Sequence, residues 1–131
     1  MKITVDTNVL VRAVVCDNTT QATIAAKVLN EAKLIAITLP CLCEFVWVLR
    51  KVYVFQAADV VAAIHALLVA TNVEVNRQAV EAGLSILEAG GDFADGVIAY
   101  EGNWLGGETF VSFDKKAVKL LKASGLAVQL L

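Results

Sequence analysis

The chain has 131 residues, 58% of them hydrophobic and 18% charged, with a formal net charge of −2. That length suits one domain, residues 1–131, with a full core; the apolar share exceeds the roughly 45–50% of an average soluble domain, so part of it is expected in an oligomer or partner interface. The acidic balance gives no overall attraction to nucleic acid or anionic membranes, and no apolar run reaches the roughly 18 residues of a membrane span, the longest (Val60 to Ala70) containing His65.

Ile3-Thr4-Val5 reads as a β-branched strand that runs into Asp6, and Thr7 and Asn8 suit the start of a helix that continues to Val15. Asp6 and Arg12 interrupt the apolar run that a secretory signal would need. Asp17 to Thr20 is a turn whose Thr19 or Thr20 caps a helix from Gln21 to Lys33, with Ile24, Val28 and Leu29 as its inward stripe. Leu34 to Leu39 is a buried strand. Pro40, the only proline, fits the first turn of a helix from about Cys41 to Val52 that carries Glu44 and Trp47.

A further helix from about Gln56 to Ala70, a short strand from Asn72 to Val75 and a helix from Asn76 to Ala89 lead to the Gly90-Gly91 stop. Asp92 to Tyr100 is a helix that opens with acids, and Gly102 to Gly107 is a loop in which Trp104 packs over the core. Thr109 to Phe113 is a strand, Asp114 caps the helix Lys115 to Lys122, and Ala127 to Leu131 is the last strand after Gly125. Strands alternating with helices specify an α/β fold: a central parallel β-sheet flanked by helices on both faces. Cys16, Cys41 and Cys43 form no CxxC pair and have no second Cys/His pair to complete a zinc site, so they read as reduced thiols of a cytoplasmic protein.

The carboxylates are informative by position. Asp6 follows the first strand, Glu44 lies in the first turns of the helix after the second, Asp92 and Asp95 open a helix three residues apart, and Asp114 follows a late strand. Right-handed crossovers bring strand ends and following helix starts to one edge of a parallel sheet, so the five are expected to converge. Two carboxylates about 4 Å apart repel by roughly 4 kcal/mol at an effective dielectric near 20; helix N-termini relieve part of that, and a hard divalent cation relieves far more. Such an ion generates hydroxide and stabilises an in-line phosphoryl displacement. Each acid alone has an ordinary explanation as a helix cap. Asp6, interrupting an apolar run, and Glu44, set among Cys43, Phe45, Val46 and Trp47 where an unpaired charge is costly, fit that explanation least.

Four stretches, Asp6-Thr7-Asn8-Val9-Leu10, Glu44 ahead of Trp47-Val48-Leu49, Asp92-Phe93-Ala94-Asp95-Gly96-Val97-Ile98-Ala99 and Val111-Ser112-Phe113-Asp114-Lys115-Lys116, resemble in order the PIN-domain ribonucleases, and among them the VapC-like toxins of toxin–antitoxin pairs. The resemblance implies a single PIN-like domain and Mg²⁺- or Mn²⁺-dependent hydrolysis of RNA phosphodiester bonds with water as nucleophile. It assigns Asp6, Glu44, Asp95 and Asp114 as the catalytic, metal-binding acids and Asp92 as an auxiliary metal-binding acid, with Asn8 and Ser112 supporting the site. It further implies a homodimer and a cognate antitoxin that blocks the acids. Gly96 departs from the alanine common after the third acid, and its missing methyl is expected to loosen that helix start.

Lys115, Lys116, Lys119 and Lys122 put positive charge beside Asp114 and suit phosphate positioning, against the plain alternative of a solvated helix face. Arg12 is placed to meet an RNA phosphate or an antitoxin carboxylate, or to form a surface salt bridge. The rival readings are an aspartyl-nucleophile phosphatase, for which Asn8 stands where a second aspartate is wanted; a PIN-fold nuclease with a housekeeping RNA-processing role; and a non-catalytic module that binds a cation or a basic partner. No GxxxxGK[ST] or GxGxxG follows the first strand, which argues against nucleotide-triphosphate chemistry.

Overall fold

Short β-branched runs and longer amphipathic ones alternate along the chain, and the computed structural model, which describes residues 1–131, turns them into five strands and seven helices. They form two compact units, residues Met1–Asn76 and Arg77–Leu131. All strand pairs are parallel, as the alternation requires.

The first unit contains β1 (Lys2–Thr4), α1 (Thr7–Val15), α2 (Thr19–Glu31), β2 (Leu34–Ala36), α3 (Leu39–Lys51), α4 (Ala57–Val69) and β3 (Val73–Glu74). Its sheet runs β1-β2-β3, with Ile3 opposite Ile35 and Ile35 opposite Val73. Because β1 and β2 run the same way, the residues that follow them, Asp6 and the α3 N-cap Thr38, lie at the same sheet edge. The stripe Cys41, Leu42, Phe45, Val46 and Leu49 buries one side of α3, with Pro40 in its first turn, where a missing N–H leaves no bond unmade.

The second unit contains α5 (Arg77–Glu88), α6 (Phe93–Trp104), β4 (Phe110–Ser112), α7 (Lys115–Ala123) and β5 (Val128–Leu130). β4 pairs with β5, Phe110 opposite Val128, and Ile86, Ala99 and Leu121 form a core against which Phe110, Leu120, Leu126 and Val128 pack. The α5–α6 contact is close enough to touch backbone. A Cβ added to Gly96 would overlap the Ala82 carbonyl oxygen and lie 2.8 Å from the Gly83 Cα, and one added to Gly83 would lie 2.6 Å from the Phe93 ring. The expectation that Gly96 loosens the helix start is therefore reversed, since its missing methyl is what lets α6 seat.

Other local expectations shift for identifiable reasons. Asn18 rather than Thr19 or Thr20 caps α2, its side chain accepting from the Gln21 N–H at 3.0 Å. The stretch from Gly102 to Gly107 is not wholly loop, because α6 continues to Trp104. The helix stops where Gly106 takes φ +104°, with Gly107 N–H bonded to Gly102 C=O at 2.9 Å and Gly106 N–H to Asn103 C=O at 3.0 Å, a Schellman ending. The same pairing ends α5 at Gly90 and α7 at Gly125. The strand expected over Leu34 to Leu39 stops at Ala36, because Thr38 already caps α3. Ile24 and Val28 do not face inward: they are 58% and 37% exposed, and of α2 only Ala25 is buried. No helix is long and apolar enough to cross a membrane.

Candidate functional site

In the first unit, Asp6 caps α1, its Oδ1 accepting from the Thr7 N–H at 2.8 Å. Asn8 follows on α1 with its side chain exposed. Thr7, a buried polar residue only 4% exposed, donates its hydroxyl to Cys41 Sγ at 3.8 Å. Burial pushes the Cys41 thiol up from its ordinary range; the Thr7 hydroxyl offsets part of this, and the negative charges of Asp6 and Glu44 add to it. Both acids thus act on one buried sulfur. A thiol held protonated there offers no thiolate to a soft ion, which leaves carboxylate oxygens as the ligands on offer. Neither Thr7 nor Cys41 stood out in the sequence as part of this site, because a threonine and a cysteine near the starts of two different helices, 34 positions apart, become neighbours only through the parallel pairing.

Glu44 is exposed, contrary to the apolar setting that its sequence neighbours suggest. Phe45 and Val46 turn inward on α3, while Glu44 and Trp47 (58% exposed) turn out. Its influence on Cys41, shared with Asp6, is what recommends it, rather than a costly burial.

In the second unit, Asp92 occupies the N-cap position of α6 without capping it by its side chain, so the ordinary explanation offered for it fails. Asp95 lies in the first turn of α6, half-buried, its N–H bonded to the Asp92 carbonyl at 3.1 Å. Asp114 does cap α7: its Oδ1 accepts from the N–H groups of Lys116 at 2.9 Å and Ala117 at 3.1 Å. Ser112 Oγ accepts from the Asp114 N–H at 2.9 Å and so fixes the turn that aims the carboxylate. Burial first, then the charges of Asp92 and Asp114, raise the Asp95 carboxyl above the usual aspartate range. No lysine forms an ion pair with any of the three. Asp92 and Asp114 thus lie close enough to disfavour the charged form of Asp95.

That conflict has a stability signature. A carboxyl whose folded pKa is raised favours the native state only when protonated, so the benefit is complete below the unfolded value of about 3.9 and is lost as pH rises through the higher folded value. Asp95→Asn is therefore expected to melt at a higher temperature than wild type at pH 7 in chelator, with the difference shrinking as the pH falls to about 4. Calorimetry across that range checks it; an equal or lower melting temperature at pH 7 would contradict the strain.

Arg12 donates from Nη1 to Asp17 Oδ1 at 2.5 Å and to Tyr53 Oη at 3.3 Å, and Tyr53 Oη donates to Asp17 Oδ2 at 3.0 Å. In this surface trio the hydrogen bond to Asp17, and after it the one to Tyr53, holds the Arg12 guanidinium above its ordinary pKa. Arg12 also borders, with Asn8, Val9, Gln21, Ile24 and Val28, a groove of about 260 Å³ between α1 and α2. Lys115 and Lys116 are exposed in the first turn of α7. Trp104 does not pack over the core: it is 74% exposed, its indole N–H donating to Tyr100 Oη at 2.8 Å while that hydroxyl bonds to Gln78 Oε1. His65 is exposed on α4. Neither unit by itself gathers three or more His, Cys, Asp or Glu side chains into a metal-holding group.

Among known proteins, the family profile described as PIN domain matches residues 3–120, a span that includes all five acids. No curated protein matches the chain.

Proposed function

The chain belongs to the PIN-domain family, whose members are generally nucleases, and from that premise we propose that it is a Mg²⁺- or Mn²⁺-dependent endoribonuclease, the toxin of a toxin–antitoxin pair. The observation that carries the reading is the half-buried Asp95 carboxyl, whose ionisation is opposed by burial and by the charges of Asp92 and Asp114. An oxygen-only donor set fits a hard divalent ion. Asp6, Glu44, Asp95 and Asp114 would hold it, with Asp92 as an auxiliary acid. When bound, the ion supplies a hydroxide-like water and a counter-charge for the phosphoryl group.

The chain's own contribution is orientation. The Thr7 N–H pins Asp6 Oδ1, and the N–H groups of Lys116 and Ala117 pin Asp114 Oδ1, leaving the second oxygen of each carboxylate for other work. Ser112 holds the Asp114 turn, and Asn8 stands two residues from Asp6 as a polar supporter. Lys115 and Lys116 contact RNA phosphates, and Arg12 meets RNA or antitoxin. The inhibitor's docking surface is the groove that Ile24 and Val28 line; exposed Trp47 and Val69 offer apolar area to a second copy in a homodimer. With three free cysteines, a reducing cytoplasm is the compartment that fits.

Incubation of the purified chain with single-stranded RNA tests the proposal. Cleavage is expected with Mg²⁺ or Mn²⁺, none in chelator, and none above background from Asp6→Asn with metal. Cleavage that survives chelation would remove the metal from the mechanism, and an active Asp6→Asn would remove the acid.

A further inference from the structure

Four lysines occupy the outer face of α7: Lys115, Lys116, Lys119 and Lys122 are all exposed, opposite the buried Ala117, Val118 and Leu121. None of them forms an ion pair. A merely solvated face would be served by any polar residue, and acids would suit its first turn best. The dipole of a helix disfavours cations at its N-terminus, yet Lys115 and Lys116 stand there, in a chain with more acids than bases. Lys115 and Lys116 are thus placed against the helix's own preference, whereas Lys122 in the last turn accords with it, and none of the four has an ion-pair partner.

Its geometry is that of a single row. Lys115, Lys119 and Lys122 stand at i, i+4 and i+7, on one side of the helix, with Lys116 flanking. At about 1.5 Å rise per residue the row is roughly 10 Å long, which at about 3.4 Å per nucleotide of one stacked strand spans about three phosphates. One end of the row adjoins Asp114. A duplex would want two rows separated by a groove; α7 has one.

We propose that the outer face of α7 is a track for one strand of RNA backbone, held by its phosphates through Lys115, Lys116, Lys119 and Lys122 as it leaves Asp114. The track rests on the nuclease reading and adds to it the path of the substrate and the way it is gripped: by charge, without regard to base sequence.

Binding measured without turnover tests it. A labelled single-stranded RNA of about 12 nucleotides is titrated in chelator, by anisotropy, over a series of salt concentrations. Each phosphate contact contributes about −0.7 to the slope of log K against log salt. Lys119→Gln/Lys122→Gln, chosen because glutamine is about as good a helix former as lysine, is expected to lower the steepness by about 1.4 and to weaken binding about 25-fold near 0.1 M salt. Lys27→Gln/Lys33→Gln removes the same charge from exposed positions of the first unit and is expected to leave the slope unchanged. Equal slopes in wild type and the α7 variant would overturn the track; so would the same loss in both variants, which would reduce it to net charge, or no measurable binding by wild type. Cleavage of the same RNA by wild type with Mg²⁺ separates the two readings. A lowered slope in a protein that never cleaves keeps the track and rejects the nuclease, and normal cleavage with an unchanged slope rejects the track alone.

Discussion

Alanine at Gly96 is expected to cost about 3 kcal/mol of stability and to lower the unfolding midpoint by roughly 10 °C, the largest effect of a single methyl in this chain. The added carbon would overlap the Ala82 carbonyl oxygen and come within 2.8 Å of the Ala82 carbonyl carbon and the Gly83 Cα. All three are backbone atoms, so no rotamer change makes room; α5 and α6 must separate, and the contacts of buried Phe93 and Val97 loosen with them. Against a total stability of about 5–15 kcal/mol such a loss is severe. Gly102 supplies the control on the same helix. A Cβ there meets nothing within 4 Å, and Gly102→Ala is expected to stabilise by about 0.5–1 kcal/mol, since alanine gives up less backbone freedom in a helix. Thermal melts of the two variants should move in opposite directions. If both move alike, helix propensity rather than contact governs Gly96.

Asparagine at Asp114 is expected to abolish RNA cleavage, by about a thousandfold or about 4 kcal/mol of transition-state stabilisation, while leaving stability close to wild type. Asp114 has two employments that substitution can separate. Its Oδ1 caps α7 through the N–H groups of Lys116 and Ala117, a task asparagine performs about as well. Its charge serves the proposed cation, which asparagine does not replace. Asp114→Ala should lose both, with about 1 kcal/mol of stability from the missing cap on top of the lost activity. If Asp114 were only a cap, Asp114→Asn would cut RNA as fast as wild type. Steady-state cleavage and a denaturant melt on both variants decide between these outcomes.

What could be read in advance follows the range of the interaction. A β-branched run that halts at Asp6, a lone proline at position 40 and glycines at 90 and 125 act within a few residues, and β1, the start of α3 and the ends of α5 and α7 come out where those signals put them. The local position of each acid was legible, after a strand or in the opening turns of a helix. Contacts made only by packing were not. Nothing near Gly96 in sequence names Ala82 as the neighbour that forbids a methyl, and nothing near Thr7 names Cys41. Glu44 shows the same limit from the other side: four apolar sequence neighbours suggest burial, but a helix turns about 100° per residue and sends Phe45 and Val46 inward while Glu44 looks out. Gly102 to Gly107 reads as loop by composition, yet the ending geometry at Gly106 places the stop after Trp104, beyond the first glycine.

The division of the acids between the two units also orders them in time. Asp6 and Glu44 belong to the segment that ends at Asn76, and Asp114 follows that boundary by 38 positions. On a ribosome adding about 5–20 residues per second, the segment that carries the earlier pair is complete some 2–8 s before Asp114 is added. Until then the nascent polypeptide lacks part of the proposed cutting apparatus, so under the proposed activity the message being translated would be spared while that first segment emerges.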